Sequence, residues 1–74
     1  MNLADIPAEQ RVRITGVDAG CGMAGRLTAM GILPGTPVRV VANAGRGPMI
    51  IRVRSSKVAL GRNMACRVSV EPLP

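Results

Sequence analysis

Reactive side chains are sparse in this sequence, and their spacing limits the chemistry open to them. Cys21 lies between Gly20 and Gly22, three residues after Asp18, while Cys66 stands far along the chain. There is no histidine, so the commonest general base and imidazole ligand are both missing. The carboxylates Asp5, Glu9, Asp18 and Glu71 are dispersed, and none adjoins a candidate nucleophile. Without such a constellation the chain reads as a non-enzyme. A tight transition-metal site needs three or four Cys, His or carboxylate ligands. Cys21 is the single candidate metal ligand, and a full set around it would need Asp18 and an oligomer contact. Cys66 falls on the expected apolar phase of the last strand, where a free cysteine serves as a small hydrophobe. No cofactor is expected.

Charge is the stronger signal. Ten basic residues, nine of them arginine, stand against four acids, for a net charge of +6. That balance favours an anionic partner: nucleic acid, an anionic membrane surface or an acidic protein face. Strand alternation places Arg11, Arg13, Arg39, Arg52, Arg54 and Arg67 outward. A solvated basic face that discourages edge pairing accounts for most of them. With no Phe, Tyr or Trp there is no platform for stacking bases, so an acidic protein partner is favoured over nucleic acid.

The elements that would position these groups follow from periodicity. A chain of 74 residues is one domain, 1–74, with a core of aliphatic side chains and methionine. Leu3 and Ile6 can tuck against the body. In "RVRITGV", residues 11–17, Val12 and Ile14 alternate with Arg11, Arg13 and Thr15, as in a half-buried strand. "DAGCG" reads as a loop, and its glycines make only a faint phosphate cradle, with no lysine following. Over residues 23–30, Met23, Leu27 and Met30 share one face of a two-turn helix. Gly31 suits the left-handed residue that ends a helix, with Ile32 folding back on the last turn. Leu33, Pro34, Gly35 and Thr36 fit a type II turn, with proline second and glycine third.

A strand over residues 36–42 should then bury Val38, Val40 and Ala42. "NAGRG" leads into a second strand with Met49, Ile51 and Val53 inward, completing a hairpin. Residues 55–60 give a turn and a brief strand, and residues 62–65 a single helical turn. The final strand should bury Cys66, Val68 and Val70. Met30, Met49 and Met64 fill core gaps alongside Met23. Val17, Ile32, Val41 and Ile50 fall on the outward phase or in loops. If they cluster, Val41 and Ile50 above all, they form an exposed apolar patch suited to a partner or to weak self-association. Five short strands and one short α-helix imply a small antiparallel barrel, mainly β. The opening decapeptide lacks the features of a signal peptide, and no apolar run approaches the roughly 18 residues of a membrane span. A cytoplasmic location without membrane insertion is the default.

"GRLTAMGILPGTPVRVV", "GPMIIRVRSSKVALG" and an alanine followed by "RVSVE" together resemble the FeoA family, over roughly residues 25–71. The resemblance implies an SH3-like five-stranded barrel and an accessory role in bacterial ferrous iron uptake. It further implies docking on the cytosolic GTPase region of the membrane transporter FeoB. The same module is similar to the C-terminal domain of metal-dependent repressors, so a metal-responsive role is an alternative, as is a basic nucleic-acid-binding barrel. Residues 61–64 depart from the family's usual mix of basic and acidic residues. The expected contact surface is the helix and turn, with Arg26, Leu27, Met30, Gly31, Leu33, Pro34 and Gly35, together with the hairpin arm at Arg46, Gly47 and Pro48.

Overall fold

The computed structural model describes residues 1–17 and 23–73. Five strands form one antiparallel sheet in the order β4-β3-β2-β1-β5, with β1 at Arg11–Val17, β2 at Pro37–Ala42, β3 at Met49–Val53, β4 at Ser56–Leu60 and β5 at Val68–Pro72. The inward side chains of all five join a single apolar cluster, as expected of a bent sheet wrapped on itself. A 3₁₀ turn at Leu3–Asp5 precedes β1 and buries Leu3 completely; Ile6 follows it inward. Residues 1 and 2 run beside β5, where Val70 N–H donates to the Met1 carbonyl at 3.0 Å.

The helix expected after the first loop is α1, Met23–Ala29. Its end is set by backbone geometry. Gly31 has φ of +84°, Gly31 N–H reaches the Thr28 carbonyl at 2.9 Å, and Ile32 N–H reaches back to the Leu27 carbonyl at 2.9 Å. This double bond pattern is a Schellman cap, and it turns Ile32 into the core. Four residues on, Gly35 has φ of +92° and Thr36 N–H donates to the Leu33 carbonyl at 3.1 Å, as a type II turn requires. The turn is pinned to β1, since Ile14 N–H donates to the Thr36 carbonyl at 2.9 Å and Gly35 N–H to the Ile14 carbonyl at 2.6 Å.

The helical turn expected over residues 62–65 is present as α2, Arg62–Ala65, with Ala65 fully buried, so a second short helix joins the one counted in the expected fold. α2 carries the chain from β4 to β5, and among the described residues no ladder joins those two strands. Ala42 is exposed and not inward. The β2–β3 register steps from Val40 opposite Ile51 to Ala42 opposite Ile50, so Val41 is the extra residue of a bulge that shifts the alternation by one. Cys66 is also exposed. It caps the C-terminal end of α2 in a helical conformation, ahead of β5, and its thiol donates to the Asn63 carbonyl at 3.3 Å. The alternation that buries Val68 and Val70 begins only after it.

Candidate partner-binding surface

The hairpin arm, residues 43–48, projects between β2 and β3 and turns through Gly45 and Gly47, both at positive φ. One side-chain amide fixes its base. Asn43 Nδ2 donates to the Ala4 carbonyl at 3.1 Å and to the Ile6 carbonyl at 2.8 Å, which ties the arm to the 3₁₀ turn. Asn43 Oδ1 accepts from Gly45 N–H at 3.4 Å and from the Arg62 guanidinium on α2. Three segments distant in sequence thus converge on one residue. Across the arm's tip, Gly47 and Pro48 face Gly61, Arg62, Asn63 and Met64 over a shallow groove of about 330 Å³. Arg62 also carries a buried Nε with no hydrogen-bond partner among the described residues. A buried donor left unmade is costly, so it weighs against the stability of this corner of the fold.

The other expected contact region divides. Leu27 is fully buried and offers no surface to a partner; its place on the apolar face of α1 makes it core. Met30 is half-buried against that core, as is Met64, whereas Met49 is wholly inside. Arg26, Pro34 and Gly35 are exposed, and Leu33 is 39% exposed, one of the two large apolar side chains that face solvent among the described residues. Gly31 lies against the far end of β3, where a Cβ would sit 3.4 Å from Val53 Cγ1. The hairpin arm enters at Met49. At about 3.3 Å per residue, these two regions are separated by the length of β3, roughly 13 Å. They form two separate surfaces.

Val41, Ile50 and Val17 are half-buried, and Ile32 is in the core, so these four make no open apolar patch. Ile32 was expected in a loop, but the helix cap folds it inward. Cys21 and Asp18 lie outside the described residues. Among the described residues, no three of His, Cys, Asp and Glu come together as a metal site.

All six of the arginines expected to face outward do so. Four cations fall in direct cross-strand register: Arg11 opposite Arg39, Arg39 opposite Arg52, and Arg52 opposite Lys57. Glu9 lies beside Arg39, Arg52, Val41 and Lys57 in a cleft of about 170 Å³. Sequence reasoning missed Asn43, Arg62 and Glu9. An asparagine at the head of a Gly-rich loop reads as an ordinary turn residue, and nothing local tells of a clamp across 37 residues.

The FeoA domain model matches residues 1–72, nearly the whole chain. The chain belongs to the FeoA family. A Methanocaldococcus jannaschii protein provisionally named Fe(2+) transport protein A is 40% identical over 62 residues, which cover 84% of this chain and 74% of that one. Among solved structures, an iron uptake regulatory protein (FeoA) superposes with a TM-score of 0.93 at 27% identity, over 99% of this chain and 97% of that one. Stenotrophomonas maltophilia FeoA, complexed with zinc and described as a procaryotic SH3 domain protein, matches with a TM-score of 0.84 at 29% identity, over 96% of this chain and 89% of that one. The SH3-like barrel of FeoA proteins is thus the architecture here, and the family is one of ferrous iron transport. Among the described residues, no helix is long and apolar enough to cross a membrane.

Proposed function

We propose that this protein is a cytoplasmic binding module of ferrous iron uptake that docks on the cytosolic GTPase region of the transporter FeoB and performs no chemistry itself. The observation that carries this reading is the groove between Gly47, Pro48 and residues 61–64. The arm on one side of it is held at its base by Asn43, which also accepts from Arg62 on the other side. A rigid scaffold that presents a small cleft lined by exposed Gly47, Pro48, Gly61 and Asn63 is suited to receive a short peptide segment. The family's place in ferrous iron transport supports a transporter as the partner. Iron is the cargo of that partner in this reading.

The test is titration calorimetry of the whole protein against the transporter's isolated cytosolic domain, with and without guanine nucleotide. Filling the groove by Asn63→Trp should abolish the heat of binding while leaving thermal unfolding within a few degrees, since Asn63 is exposed. No heat from the parent protein in either nucleotide state would remove the docking assignment. Unchanged binding by Asn63→Trp would remove the groove.

A further inference from the structure

The row of cations on the sheet's outer face lacks a structural reason. Like charges placed directly opposite each other across strands are destabilising. Here Arg52 meets Arg39 on one side and Lys57 on the other, all exposed. Among the described residues, none of Arg39, Arg52 and Lys57 is held in an ion pair. Protection against edge pairing does not explain the row, because that device belongs on edge strands. Arg39 is on β2 and Arg52 on β3, and both strands are interior to the order β4-β3-β2-β1-β5.

Backbone strain points to the same face. Only two non-glycine residues among those described have positive φ, Glu9 at 73° and Arg54 at 58°. Arg54 opens the two-residue turn between Val53 and Ser56, a position that favours glycine in such hairpins. Each strained residue lines one of two clefts that share Arg39 and Arg52 as a common wall. Glu9 is in the first, with Val41 and Lys57; Arg54 is in the second, of about 270 Å³, with Pro37 and Leu73. Strain and unpaired charge held against stability at one place are a mark of a site.

We propose that the outer face of β1–β4, centred on the Arg39 and Arg52 pair, is a docking surface for an acidic, flexible polypeptide segment. Guanidinium groups fork onto carboxylates in pairs, and strands about 4.8 Å apart set the four cations in a strip roughly 14 Å long. The strip bends with the sheet. A flexible chain can follow that convex path, whereas a straight duplex or a flat bilayer touches only its crest. Single-stranded nucleic acid would follow it too, but it binds largely by stacking on aromatic rings, and this chain has none. This face is distinct from the groove at the hairpin arm, so the proposal needs only an acidic segment and stands apart from the transporter reading.

The experiment is fluorescence anisotropy of a labelled synthetic peptide of alternating Glu and Gly, titrated with the whole protein at low and at physiological salt. Saturable binding that weakens as salt rises is expected. The double variant Arg39→Glu with Arg52→Glu should lose about tenfold or more in affinity. The variant Arg26→Glu with Arg67→Glu carries the same change in net charge away from the strip, and should stay within about twofold. Arg54→Gly relieves the turn while removing a cation, so it should weaken peptide binding with no fall in melting temperature. Equal losses in the two double variants would reduce the effect to net charge and overturn the proposal. So would tighter binding of an oligothymidine or of phosphatidylserine vesicles than of the peptide.

Discussion

At the Val53 end of β3 the chain is shaped by backbone angles, at Gly31 and again at Gly35; at the Met49 end it is held by the side chain of Asn43. The first arrangement is local. Every bond of the Schellman cap and the following turn lies within six consecutive residues, and only the pinning to Ile14 reaches further. The second gathers the 3₁₀ turn, the hairpin arm and α2 onto one amide. A local device fails by strain, a fraction at a time. A convergent one loses all its partners when one residue goes.

That contrast puts Asn43→Ala first in expected effect. The substitution leaves the Ala4 and Ile6 carbonyls without their donor and takes the acceptor from Arg62, whose Nε already lacks a partner. Net losses near 1 kcal/mol per bond, with desolvated groups left unmade, sum to about 2–3 kcal/mol at this partly buried site. In a domain of this size the melting temperature should fall by roughly 10–20 °C. Hydrogen exchange should quicken most at Gly45, whose amide bonds to Asn43 itself. A loss below about 0.5 kcal/mol by thermal melts would show that the arm is held by packing, and the contrast between the two ends would break.

The same contrast separates what could be read from the sequence from what could not. Gly31 and the Pro34-Gly35 pair announce their conformations, because few residues adopt positive φ and proline presets its own angle. The strands were legible wherever apolar and charged residues strictly alternate, as in Val12 to Ile14 or Met49 to Val53. Legibility ended where an extra residue shifts the phase. The bulge at Val41 turned Ala42 outward, and the short helix α2 took Cys66 out of the strand that its spacing from Val68 suggested. Among the residues expected at a contact surface, Leu27 is buried core, as its helical spacing with Met23 and Met30 already marks it. The clamp, the groove and the cation strip depend on which strands and turns become neighbours, and that is a property of the whole sheet.

Gly31→Ala tests the local end. An L-residue in the left-handed region costs about 1–2 kcal/mol, and the new Cβ meets Val53 Cγ1 at 3.4 Å, an ordinary contact that adds little. Denaturant melts should show a loss in that range with an unchanged m-value, because the fold is kept. A change in m-value would mean that the cap is needed for the whole barrel to close, which would make this end as convergent as the other.

Gly35→Ala isolates backbone strain and should have the smallest effect. Gly35 has φ of +92°, and a Cβ there meets nothing within 4 Å, so sterics with the rest of the molecule drop out. The turn's own bond from Thr36 to Leu33 and its anchor from Gly35 N–H to the Ile14 carbonyl are both backbone bonds that alanine retains. What is left is the left-handed penalty, about 1 kcal/mol, partly offset by the lower entropy of alanine in the unfolded chain. Asparagine tolerates positive φ, so Gly35→Asn should recover about half of the loss. If the alanine and asparagine variants melt together, well below the parent, strain at φ is not the cause. The close 2.6 Å bond to Ile14 would then be the feature that glycine protects.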